Sequence, residues 1–326
     1  YSHSKNSINF INEEEKLFKV FSDECSEKIN KKIFENSIVL DEIVEIKAGL
    51  QAYEKGKGIP KQTEEDVKNR PYDYTYKFDE ETYKYLEGNN VVRYSINWSG
   101  QYLKYGENLA APRSVELFNG KKIIIREITG AFPKNIISTY TEEFYLYNRS
   151  NIGIIKKKID LKYILVVLNS TLISYYFMKN TAKSVRKLFP KIILNDLRKF
   201  PFKEISLKEQ QPFIEKADKM LSLNKNFQEL SQKFQRMIVR EFGLEKISTK
   251  LQNWYLLNFT EFIKELSKVK VKLNLSQKAD WEDYFIAEKS KAETLNNEIT
   301  KTDKEIDRMV YELYGLNEEE IRIVES

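Results

Sequence analysis

The chain predicts an α+β protein, a mixed β-rich domain followed by a long-helix, coiled-coil-like C-terminal region. Short segments rich in β-branched and aromatic residues, bounded by Gly, Pro, Asn or Asp, recur between residues 37 and 148. From Leu207 onward Gly and Pro almost vanish and apolar residues step by threes and fours. The charge divides at the same place: residues 36–205 carry 28 Lys+Arg against 20 Asp+Glu, and the rest of the chain 26 against 29.

Residues 1–36 read as an N-terminal helical or linker segment; the chain opens on Tyr1 rather than Met, as a fragment of something longer would. Residues 37–206 form the first domain. SIVLDEIVEI (37–46) reads as its entry strand, and VEIKAGLQAYEKGKG (44–58) as a strand running into a glycine-marked loop. NVVRYSI (90–96), KKIIIREIT (121–129) and EEFYLYN (142–148) supply further strands, separated by long Tyr-rich polar segments. A helix is expected from Leu161 to about Met178. Its apolar run, YILVVLNSTLISYYFM, is shorter than a membrane span and carries Asn169, Ser170, Thr171 and Ser174, so it reads as a packed helix with no membrane role. KFPFKEIS (199–206) closes the domain.

Residues 207–326 read as a helical spacer or C-terminal arm. Met220, Leu223, Phe227, Leu230, Phe234 and Met237 form one apolar seam; Leu295, Ile299, Thr302, Ile306, Met309 and Leu313 form another. The two helices are expected either to pair antiparallel as an arm, with self-association as a further use, or to dock on a small helical core. Gly315 suits a helix end, and Asn317 with Glu320 has capping-box spacing for a last turn.

With 326 residues, 41% of them hydrophobic, the chain can bury a sizeable core. Cys25 is alone, which excludes a disulfide framework and points to a reducing cytoplasm; the one histidine, His3, sits in a polar end, which argues against histidine catalysis. Two patterns imitate catalytic sites. Asp41, Glu45 and Lys47 fall on one face if 37–46 is a strand, the arrangement of a nuclease that holds Mg²⁺ with its acids. The competing reading is a half-exposed strand edge. NRPY (69–72) is near the Asn-Pro-Pro-Tyr loop with which amino-methyltransferases grip a flipped adenine, but Arg70 replaces the first Pro and no strand-Gly-x-Gly turn precedes it.

Binding chemistry is better represented. Gln51, Tyr53, Lys55, Lys57, Lys61 and Gln62 share the first loop; Arg93, Arg113, and Arg126 with Thr129 follow; Lys183, Arg186 and Lys187 lie in a basic run between Lys179 and Lys203. Lys and Arg neutralise phosphates, and the forked donors of Arg, Gln and Asn read purine edges in the major groove. A solvated basic face, or a basic domain that binds RNA or protein, remains the other reading.

Arrangement adds to charge. IVEIKAGLQAYEKG, YLEGNNVVRY, KKIIIREITG, YILVVLNSTLISYYF and FPKIILNDLRKFPF, in that order, resemble the TaqI-like C-terminal specificity domain of adenine-specific DNA methyltransferases and Type II/IIG restriction-modification enzymes, over about residues 38–203. The tail DKEIDRMVYELYGLNEEEIRIVE (303–325) is similar to the ending of many such enzymes, and the arm resembles the spacer helices of Type I specificity subunits. The resemblance implies a target recognition domain that binds double-stranded DNA beside an adenine methyltransferase domain in the same chain or complex. S-adenosylmethionine would belong to that parent enzyme, with Mg²⁺ if a nuclease is fused, and neither to this chain. Gln51, Tyr53, Arg93 and Arg126 carry over as candidates for base contact.

Overall fold

The computed structural model describes residues 24–181 and 190–326. His3, Lys183, Arg186 and Lys187 lie outside the described residues. The strands are β1 (Ser37–Val39), β2 (Val44–Ala48), β3 (Asp73–Tyr74), β4 (Thr82–Leu86), β5 (Val91–Val92), β6 (Ser95–Ile96), β7 (Tyr102–Lys104), β8 (Lys122–Arg126), β9 (Ser138–Thr141), β10 (Leu146–Tyr147), β11 (Asn151–Lys156) and β12 (Pro201–Lys203).

The central sheet is antiparallel, in the order β2-β11-β8-β9. Alternation along its strands separates two cores. Val44, Ile46, Ile123, Ile125, Ile152 and Ile154 face the larger one, with helices Leu161–Leu168 and Thr171–Asn180 packed behind them. Ile124 faces the smaller core, shared with Tyr85, Leu86, Leu103, Phe118, Leu146 and Tyr147 of the second sheet, β10-β4-β7-β3, and its connections. Between Ile152 and Ile154 lies Gly153, where an added Cβ would run into the Tyr147 hydroxyl. That close approach requires glycine.

Two sequence expectations change here. Residues 37–46 are not one strand: β1 pairs with β12, a helical turn Leu40–Ile43 follows, and β2 joins the central sheet. The expected helix from Leu161 breaks at Asn169–Ser170 into two helices that meet at 65°. Ser170 caps the second by accepting from the Ile173 amide, while the Asn169 side chain bonds Ser138 on β9 through both its donor and its acceptor. Both helices are packed in the core, and among the described residues no single helix is long and apolar enough to cross a membrane.

Both expectations for the C-terminal region hold in different places. Helix Leu207–Phe242 opens on a Ser206–Glu209 capping box and ends at Gly243, in the left-handed region. It runs antiparallel to helix Leu275–Leu313, with Lys216 on Glu305 (2.6 Å) and Lys219 on Glu298 (3.2 Å). At the far end Phe234, Trp254, Phe262 and Phe285 form an aromatic core with the short helix Phe259–Lys268. At the near end Phe213, Ala217, Met220, Ile306, Val310 and Tyr311 enter the larger core. Residue 206 is thus a boundary of secondary structure but not of packing. Gly315 (φ 69°) and the Asn317–Glu320 capping box start the last helix, Glu318–Glu325, whose Glu320 meets Lys32 of helix Glu24–Phe34 at 2.7 Å.

Candidate nucleic-acid interface

One end of the central sheet gathers three arginines, Arg113, Arg126 and Arg149. β2 leaves there through Gly49 to Gln51, β11 enters there after Arg149 and Ser150, and β8 ends there on Arg126, whose register partner is Asn151. Two adjoining hollows open at this rim. Arg126 lines one of about 270 Å³ with Glu87, Gly88, Asn89, Asn148 and Ser150. Arg113 and Arg149 line the other, about 250 Å³, with Gly49, Gln51 and Glu127.

The acids of both hollows are already engaged. Glu87 accepts from Arg70 at 3.0 Å and Glu127 from Lys191 at 3.2 Å. Among the described residues no carboxylate lies within ion-pair distance of Arg126, Arg113 or Arg149. Arg126 is half-buried, so its guanidinium forgoes some hydration without a neutralising partner. A salt bridge to an acid on a neighbouring strand, the plain structural role for such an arginine, is therefore not formed among the described residues.

The other predicted residues divide. Gln51 sits at the rim, accepting from Arg149 at 2.8 Å and donating to Glu54 at 2.8 Å. Lys57 and Lys61 are exposed on the following loop, which the buried Gln62 pins by donating to the carbonyls of Ala52 and Asn108 (both 2.8 Å). Lys55 is exposed but paired with Glu64. Tyr53 is stacked on Tyr72, and its hydroxyl donates to Asp73 and accepts from the Tyr72 amide; burial raises its pKa. Thr129 is buried and donates its hydroxyl to Pro190 O at 3.1 Å.

Arg93 needs outright correction as a base-reading candidate. It occupies the tight turn between β5 and β6, where Tyr94 adopts φ 59°, and points into the contact with helix Leu275–Leu313. Its guanidinium donates to both oxygens of Asp303 (2.9 and 2.7 Å) and to Asn169 O (3.0 Å). Beside it Lys134 donates to Asp307 at 2.6 Å, and Asp307 also accepts from the Thr171 amide and hydroxyl. These four charges fasten the second long helix to the β-rich domain. Sequence reasoning in turn missed Arg149, which the unrecognised strand NIGIIK would have placed in a turn at a sheet end.

The nuclease arrangement does not assemble. Asp41 lies on the helical turn and faces Arg198 at 3.3 Å, while Glu45 and Lys47 pair with each other at 2.5 Å on the solvent side of β2. The hydrogen bond from Lys47 lowers the Glu45 pKa. Among the described residues no three His, Cys, Asp or Glu side chains gather as a metal site. In the NRPY segment, Asn69 is exposed at the end of helix Glu64–Asn69, while Arg70 (φ 51°) is taken up by Asp73 and Glu87.

Residues 83–202 match the TaqI-like C-terminal specificity domain, and residues 206–310 match a domain of unknown function, DUF8810. Over residues 83–202 the chain is thus similar to the TaqI-like specificity domain, and over most of its long helices to a domain of unknown function. No curated protein matches the chain. Among solved structures, the Type IIL restriction-modification enzyme MmeI in complex with DNA is similar at 11% identity and a TM-score of 0.44, over 86% of this chain and 34% of that one. The Type I restriction-modification S subunit from M. genitalium is 13% identical, with a TM-score of 0.33, over 67% and 48% of the two chains. The HsdS subunit from Thermoanaerobacter tengcongensis is 11% identical, with a TM-score of 0.32, over 71% and 48%. The chain thus spans about a third of the first and about half of the other two.

Proposed function

We propose that this chain is the sequence-reading module of a restriction-modification enzyme, holding duplex DNA against the rim of the central sheet for an adenine methyltransferase domain in the same chain or complex. The observation that carries the reading is the half-buried Arg126, without an acidic partner among the described residues, lining a polar hollow inside the segment that matches a specificity domain. An arginine so held has its forked donors free for a guanine edge or a phosphate. S-adenosylmethionine supplies the methyl group in such an enzyme. Among the described residues Gly56-Lys57-Gly58 is not the strand-to-helix glycine turn that would cradle it: the segment sits in a loop turn, and a Cβ on Gly58 would press on Asn108 O at 2.5 Å. In this reading the other domain holds the methyl donor, and this chain's part is to bind and orient DNA.

Two measurements test the reading. Binding of the chain to duplex DNA should weaken with salt at a slope near −0.9 per neutralised phosphate in log K against log salt. Arg126→Ala, assayed on duplexes substituted one base pair at a time, should cost about 1–3 kcal/mol and relax choice at one position. Unchanged affinity and selectivity would remove Arg126 from the interface.

A further inference from the structure

We infer that the hollow between Arg113 and Arg149 seats one backbone phosphodiester of the bound DNA, beside the base that Arg126 contacts; the inference rests on the DNA-specificity reading above. The hollow is a built feature. Three chain segments are zipped together around it: Gly49 N donates to Asn151 O (3.0 Å), Leu50 N to Tyr147 O (2.9 Å), and Gln51 exchanges backbone bonds with Ala111 (2.9 and 2.8 Å). At Gly49 a Cβ would collide with the carbonyls of Tyr147 and Asn148, so glycine is needed to bring the strand carrying Gln51 against the turn carrying Arg149. On the far wall the Tyr105 hydroxyl donates to Arg113 O at 2.6 Å and holds that residue at φ 64°.

The charge is arranged for an anion. Arg149 donates to the neutral Gln51 amide, and Arg113 makes one long bond to Gly49 O (3.4 Å), so among the described residues neither guanidinium is neutralised. Glu127 is held by Lys191 at the opposite wall. Two forks of N–H donors lining one hollow suit the oxygens of a phosphate. A volume of about 250 Å³ admits a phosphate with several waters at about 30 Å³ each. Neighbouring residues along the chain connect the hollows: Asn148 and Ser150 line the one holding Arg126, while Arg149 between them lines this one. A strand whose base edge meets Arg126 therefore carries its backbone past Arg149.

The test compares wild type, Arg113→Gln, Arg149→Gln and Arg149→Lys, each checked by thermal melting, on duplexes of varied sequence over a salt series. Each Gln variant should lower the salt slope by about one unit and weaken all sequences by the same factor, and Arg149→Lys should regain the slope. A single neutral methylphosphonate linkage, moved along the duplex, should weaken wild type at one position and leave Arg149→Gln indifferent there. Slopes unchanged in both Gln variants, with wild-type binding intact, would overturn the phosphate seat and leave the recognition module standing. A loss confined to one base pair would make these arginines base readers, which also overturns it. Wild type that binds no DNA at any salt overturns both ideas. Should Arg113→Gln fail to fold, the Arg149 pair and the methylphosphonate scan decide alone.

Discussion

Asp303→Asn is the most informative single change, because it separates a structural Arg93 from a DNA-reading one. The substitution keeps side-chain shape and removes one charge from the set Arg93, Lys134, Asp303 and Asp307, leaving an excess positive charge where Arg93 and Asp303 are 21% and 15% exposed. Breaking a buried pair by removing one partner costs about 3–5 kcal/mol, and residual solvent access places this case near the lower end, about 3 kcal/mol. Burial pushes the Asp303 carboxyl up, but the hydrogen bonds and charge of Arg93, with Lys134 behind, outweigh it and hold the pKa below its ordinary value. A carboxyl depressed in the folded state contributes stability above its unfolded pKa, and this is lost as the pH falls through the depressed value. Urea unfolding of both proteins at neutral and acid pH reads the effect, and the gap should narrow in acid. Replacing both partners by Met and Leu should recover much of the loss. Asp303→Asn within about 0.5 kcal/mol of wild type, together with an altered base preference for Arg93→Ala at full stability, would refute the reasoning and return Arg93 to the DNA.

Lys122 is wholly buried, donating to Gly120 O and Glu143 O, and burial lowers its pKa to about 8. A lysine depressed in the folded state makes stability rise with pH, here by roughly 2 kcal/mol between pH 7 and 10, and Lys122→Met should flatten that rise in denaturation curves. Gly153→Ala should destabilise by about 1–3 kcal/mol through the clash with Tyr147, with Tyr147→Phe in the same chain restoring part; a neutral effect in thermal melting would deny the close approach. Glu45→Gln with Lys47→Met removes only a solvent-side pair and should change stability by less than about 1 kcal/mol, without altering DNA binding. Mg²⁺-dependent cleavage that vanishes in this double variant would reinstate the nuclease.

Legibility in the sequence followed range of interaction. KKIIIREIT was readable because a β-branched run needs only its neighbours to favour a strand. NIGIIK was passed over although it is one of the two strands paired on both sides in the central sheet, because its glycine breaks the pattern and its reason, the Tyr147 hydroxyl, comes from another strand. SIVLDEIVEI looked continuous because the partner that claims its first residues, β12, lies more than 160 positions away. At the rim the structure brings together Arg126, Arg113 and Gln51, three of the residues that type alone offered as DNA contacts, but type gave Arg93 the same standing.

What the sequence determined by itself was whatever local preference and chain order encode: the α+β class, the helical C-terminal region with its end signals at Gly315 and Asn317, and the segment order that resembles a specificity domain. What only the tertiary structure decided was which cations are spent and which are free. Arg93 and Arg126 are chemically alike and both follow apolar strand residues. Arg93 meets a carboxylate 210 residues away on the returning helix, whereas Arg126 meets none among the described residues. An ion pair is set by where two distant side chains arrive, and short-range sequence pattern does not carry that distance.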